Sequence, residues 1–107
     1  MGEESAAFAD AGPADLPPGT CALRQVAGRP VLVARAGDGR LFALEGRCSH
    51  ALLSLEGARL RGSAVMCPHH GARFDLATGR ALGPPASAPI TTFAIREEAG
   101  RFEVRLP

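Results

Sequence analysis

The sequence predicts an all-β fold, an antiparallel sandwich or small barrel, and three observations lead there. Short apolar stretches alternate with a period of two, as half-buried strands do. Glycine (13) and proline (9) punctuate those stretches throughout the 107 residues. Strand-turn-strand signatures recur along the chain. Met1 to Ala14, rich in Ala, Gly and acidic residues, reads as a frayed or extended, flexible lead-in. Thr20–Ala27 and Pro30–Ala36 read as strands joined by a turn at Gly28, with Val31 and Val33 on one face. Asp38-Gly39 is a strong hairpin signal, and Arg40–Glu45 answers as the next strand. Arg59-Leu60-Arg61 and Ala64–Cys67 suggest a hairpin turning at Gly62-Ser63. Thr91–Arg96 and Arg101–Leu106 flank Glu97-Glu98-Ala99-Gly100, and Phe102, Val104 and Leu106 alternate cleanly. Only Ala51–Leu55 and the first twenty residues leave room for short helical turns.

Length and composition fit one small domain. At this length core burial alone gives modest stability, to which a ligand that binds only the folded form would add. The formal charge of +1 makes no case for nucleic-acid binding. No stretch approaches a membrane span, and the N-terminus lacks the basic start and apolar core of a signal peptide. A cytoplasmic monomer with no membrane attachment is expected. All basic charge is arginine, which reads as composition bias. Its distribution is uneven. Residues 46–83 carry Arg47, Arg59, Arg61, Arg73 and Arg80 against Glu56 and Asp75, a net +3, while residues 1–45 sum to −2 and residues 84–107 to zero. That positive region is either a solvated loop-rich surface or a docking surface.

Chemistry concentrates in two arms. Cys48-Ser49-His50 and Cys67-Pro68-His69-His70-Gly71 each offer one thiolate and one imidazole, with sixteen residues between them. Mixed arms suit a two-iron, two-sulfur cluster with two cysteines on one iron and two histidines on the other. Neutral histidine ligands raise the reduction potential above that of an all-thiolate site, and the chemistry is electron transfer. A single structural zinc also takes two Cys and two His, but common zinc patterns pair like ligands within an arm. Mixed arms disfavour zinc without forbidding it. A C-x-x-H spacing favours His70 over His69, which reads as an exposed neighbour.

On these motifs the chain resembles the Rieske iron–sulfur proteins, whose pattern C-x-H, spacer, C-x-x-H-G is matched by Cys48, His50, Cys67, His70 and Gly71. Phe74-Asp75 and Thr78-Gly79 resemble the family's short strand and turn, and Gly83-Pro84-Pro85-Ala86 its cluster-covering proline loop. Asp15-Leu16-Pro17-Pro18-Gly19 and the hairpins before Cys48 resemble its base domain. The resemblance implies an antiparallel base (residues 15–45 and 85–107) with a smaller cluster-binding lobe inserted at residues 46–84. It implies one 2Fe-2S cluster on Cys48, His50, Cys67 and His70, with the histidine side nearest solvent.

Neighbouring positions imply the subtype. Leu53 and His69 stand where the Rieske proteins of cytochrome bc complexes hold a disulfide, so that bridge cannot form. Ala72 and Phe74 stand where the same relatives carry a serine and a tyrosine that donate hydrogen bonds to sulfur. Fewer donors leave the reduced cluster less stabilised, so the potential is expected near the low end of the Rieske range, about −150 mV. The chain therefore looks like the soluble ferredoxin of a bacterial aromatic-ring dioxygenase system, a one-electron carrier with no catalytic residues. Its expected partners are a flavoprotein or ferredoxin reductase and a terminal oxygenase. A small subunit of assimilatory nitrite reductase and a zinc-stabilised interaction module are the alternatives. Cys21 reads as a small buried apolar residue, and Leu55 as packing under the first arm; burial is also expected of one of Leu52 and Leu53, the other being free for contact.

Overall fold

The structure is a computed structural model that describes residues 8–49, 53–69 and 71–106. In chain order its strands are β1 (Phe8–Pro13), β2 (Thr20–Val26), β3 (Arg29–Arg35), β4 (Leu41–Glu45), β5 (Arg59–Arg61), β6 (Ala64–Met66), β7 (Arg73–Asp75), β8 (Thr92–Glu98) and β9 (Arg101–Arg105). No helix occurs among the described residues, so the helical turns allowed for near the N-terminus and at Ala51–Leu55 are not found there. Ser54 instead forms a β-bridge with Arg47, while Ala51 and Leu52 lie outside the described residues.

Six strands make one antiparallel sheet in the order β1-β9-β8-β4-β3-β2. It curls until its two edges, β1 and β2, lie side by side without a ladder between them. Arg24 on β2 bridges that seam. Its guanidinium donates to the carbonyls of Ala11 (3.0 Å) and Pro13 (3.2 Å) and to the Asp15 carboxylate (2.6 Å). The result is a nearly closed barrel, which deals with the exposed edges that an open sheet would present.

Of the frayed or extended lead-in expected over residues 1–14, β1 corrects the flexible, frayed form for its described part. From Phe8 onward the chain is a strand paired with β9, with Phe8 opposite Arg105 and Asp10 opposite Glu103. Asp10 also accepts two hydrogen bonds from the Arg101 guanidinium, at 2.6 and 3.0 Å, and Ala11 is buried. The segment has poor strand formers, and the unpaired edge of β9 supplies what its own propensity does not. Residues 1–7 lie outside the described set.

The period-two pattern of β3 explains how two cores share one strand. Val31 and Val33 face the barrel interior with Ala43, Phe102 and Val104. Leu32 and Ala34 face the other way, into a second core shared with Cys48, Leu55, Val65, Cys67, Phe74 and Leu76. That second core lies under the inserted lobe. β4 and β8 pair directly (Ala43↔Phe93, Leu44↔Thr92), and the chain between them carries the three-stranded sheet β5-β6-β7. Leu60, Val65 and Phe74 form one cross-strand row of that sheet, and the row packs onto the second core. Fully burying a side chain such as Phe74 is worth about 1.5–3 kcal/mol.

Gly79 ties the lobe back to the barrel. Its amide donates to the Asp75 carbonyl (2.8 Å), and its carbonyl accepts from the Ile90 amide (2.9 Å). Its φ is +75°, and a Cβ there would run into the Ile90 carbonyl oxygen. The Asp75 carboxylate completes this turn by accepting from the Thr78 amide (2.9 Å) and hydroxyl (3.0 Å).

Candidate metal centre

The first arm leaves β4 at Gly46, whose amide donates to the Pro30 carbonyl (3.1 Å). Three interactions then close a narrow loop: Cys48 N–H to the Leu53 carbonyl (2.8 Å), Leu55 N–H to the Gly46 carbonyl (2.8 Å), and the Arg47↔Ser54 bridge. The second arm joins β6 to β7. Cys67 N–H donates to the Ala72 carbonyl (2.7 Å), and Gly71 N–H turns back onto the Cys67 carbonyl (3.2 Å). Gly71 has φ +73°, a left-handed conformation suited to residues without Cβ. Cys48 and Cys67 therefore sit at the roots of two hydrogen-bonded loops. They are 1% and 2% exposed and belong to the same core. His50 and His70 lie outside the described residues.

Several contacts hold the arms to each other and to the loop beyond β7. The imidazole of His69 reaches the Ser54 carbonyl at 3.1 Å. A carbonyl oxygen only accepts, so Nε2 carries the proton. His69 is exposed, as the sequence predicts, but its role as a tie between the arms was not legible: partners fifteen positions apart meet only because both loops come to one end of the lobe. Ser49 Oγ donates to the Ala88 carbonyl (2.6 Å), and Ala86 is buried in the same core as both cysteines. The proline loop thus packs on the arms. Leu55 is buried beneath them and Leu53 is exposed; Leu52 lies outside the described residues.

Cys21 is half-buried between the barrel and the lobe, where its thiol donates to the Ala58 carbonyl at 3.3 Å. Burial pushes its pKa up, so it stays protonated at neutral pH. No disulfide links Cys21, Cys48 or Cys67.

Charge is organised differently in barrel and lobe. The ion pairs among the described residues all join barrel residues: Arg24–Asp15, Arg29–Glu45, Arg35–Glu97, Arg40–Asp38, Arg96–Glu103 and Arg101–Asp10. The lobe arginines are all exposed, and among the described residues none of them makes an ion pair. Among the described residues, therefore, no carboxylate pairs with the excess positive charge of the lobe.

A sequence model of the Rieske 2Fe-2S domain matches residues 7–94. The chain belongs to this family. Among Rieske proteins it is similar to the 3-phenylpropionate/cinnamic acid dioxygenase ferredoxin subunit of Escherichia coli (strain K12), 40% identical over 95 residues, 88% of each chain. The ferredoxin of carbazole 1,9a-dioxygenase from Nocardioides aromaticivorans IC177 has the same fold, with TM-score 0.81, 29% identity and coverage of 92% of this chain and 96% of that one. A ferredoxin chain in a complex of reduced oxygenase and oxidized ferredoxin in carbazole 1,9a-dioxygenase matches with TM-score 0.77 and 31% identity, covering 90% of this chain and 98% of that one. The family's cofactor is one Rieske-type 2Fe-2S cluster. The described residues fit it: two buried thiols share one core, each at the root of a loop whose backbone is already tied.

Proposed function

We propose that this chain is the electron-carrying component of a multicomponent aromatic-ring oxygenase system, taking electrons from a reductase and passing them to a terminal oxygenase. The observation that carries the reading is the pair of buried cysteines at the roots of two tied arms, in a chain whose relatives are ferredoxin subunits of dioxygenase systems. Cys48 and Cys67 are assigned as thiolates on one iron, His50 and His70 as neutral imidazoles on the other. When bound, the cluster supplies one-electron redox chemistry. The protein keeps the thiolates out of water, holds the arms in register through His69 and Ser54, and covers them with the proline loop.

A low potential goes with this role. Ala72 and Phe74 are fully buried beside the second arm and have no O–H to offer a sulfur. The Gly71 amide is committed to the Cys67 carbonyl. The test is a reconstitution with a reductase and an oxygenase of such a system. Turnover is expected to require this protein and to be lost in His50→Ala and His70→Ala, but not in His69→Ala. Turnover that proceeds equally without the protein, or with both ligand variants, would overturn the assignment.

A further inference from the structure

We infer that the outer face of the three-stranded sheet is a docking surface for an acidic patch on a redox partner, on the cysteine side of the cluster arms. This rests on the reading of the chain as an electron carrier. The register places Arg59 opposite Met66 and Met66 opposite Arg73. Directly paired residues project from the same face of an antiparallel sheet. The next row, Leu60, Val65 and Phe74, packs inward on the lobe core, so the Arg59–Met66–Arg73 row faces out. Strands lie about 4.8 Å apart, which sets the two arginine backbones about 10 Å apart with Met66 between them.

This row is complementary to carboxylates. Both arginines are exposed, and among the described residues neither forms an ion pair. Among the described residues the Arg73 guanidinium donates only to the Leu82 carbonyl, at 3.3 Å. The nearby Asp75 carboxylate is turned to Thr78. In the barrel, by contrast, most arginines already hold a carboxylate. Met66 gives the row an apolar, deformable centre, and its sulfur side chain adapts to a partner surface.

Position makes the surface useful to a carrier. Met66 is covalently joined to Cys67, and a groove lined by Gly57, Arg59, Met66, Cys67, Pro68 and Gly71 opens beside the row. A partner seated there is one residue from a thiolate ligand. Exposed charges of this kind raise the encounter rate more than they tighten the complex, and salt screens them.

The chain has only two methionines, Met1 and Met66, so methyl-13C-methionine labelling gives two signals to follow. Hexacyanochromate(III), a paramagnetic trianion, is expected at low salt to broaden the Met66 methyl well beyond the effect of a neutral gadolinium complex. The excess should vanish at 0.5 M NaCl and in the Arg59→Glu/Arg73→Glu variant, and should fall part-way in the Gln pair. In the reconstituted system at low salt, charge reversal should slow one of the two electron-transfer steps several-fold, beyond what the measured change in cluster potential accounts for, and the difference should shrink at 0.5 M NaCl. Equal broadening by the neutral and anionic probes, anion broadening that survives charge reversal, or unchanged rates of both steps would overturn the inference. A protein without a 2Fe-2S cluster would sink the carrier reading instead, and the methyl experiment still reads the surface independently.

Discussion

Replacing His69 with Ala removes the side-chain tie between the two arms while leaving the assigned ligands in place. The contact is a 3.1 Å hydrogen bond to the Ser54 carbonyl, and both residues are exposed. Water re-solvates the freed carbonyl, so the loss belongs in the lower part of the usual range, about 0.5–1 kcal/mol. If the arms must part for the cluster to leave, that energy corresponds to a roughly two- to fivefold faster release. The assay is anaerobic loss of visible absorbance under excess chelator, read as a first-order rate. The His69→Ala protein should assemble its cluster normally and then lose it two- to fivefold faster. His69→Gln keeps an N–H donor of similar reach and should restore most of the lifetime. Release at the wild-type rate in His69→Ala, or a Gln variant no better than Ala, would refute the tie.

Other perturbations probe separate parts of the molecule. Ala72→Ser places a hydroxyl beside the second arm; a donor favouring the reduced cluster by about 1 kcal/mol raises the potential by about 40 mV in voltammetry, and no upward shift in a variant whose structure shows the new bond would contradict the explanation of the low potential. Gly79→Ala combines a positive φ with a collision against the Ile90 carbonyl, so it should cost more than about 2 kcal/mol in denaturant unfolding; a loss below about 0.5 kcal/mol would show that the lobe anchor relaxes freely. Hydrogen bonds from Arg101 hold the Asp10 carboxyl below its ordinary range. A depressed folded-state pKa stabilises the native state above the unfolded-state value and loses that contribution as pH falls through the folded one. The stability difference between wild type and Asp10→Asn should thus be full at pH 7 and disappear in strong acid, whereas a difference that persists at low pH would assign the effect to packing.

Hairpins with their own turn chemistry were legible in the sequence. Asp38-Gly39 and the alternating Phe102, Val104 and Leu106 identify strands that the structure contains, and Val31 and Val33 do share a face. β1 was not legible, because Ala, Asp, Gly and Pro are poor strand formers and its pairing depends on an edge built by residues ninety positions later. The seam-closing role of Arg24 is hidden for the same reason: its acceptors are backbone carbonyls, which leave no mark in a sequence. Mixed arms pointed to the metal chemistry. The burial of Cys48 and Cys67 in one core, and the His69 tie, arise only when the lobe folds over β3. The arginine row across β5, β6 and β7 likewise needs the register, since Arg59 and Arg73 stand fourteen positions apart in the chain.

The cofactor can be tested most directly on protein purified anaerobically, by iron and acid-labile sulfide analysis together with electron paramagnetic resonance before and after reduction. Two irons and two sulfides per chain, no spin signal when oxidised and a Rieske-type signal with low average g on reduction are the predicted result, all lost in His70→Ala. A colourless protein holding one zinc after expression with iron and cluster-assembly machinery, or a reduced signal typical of an all-thiolate cluster, would contradict the assignment of Cys48, His50, Cys67 and His70.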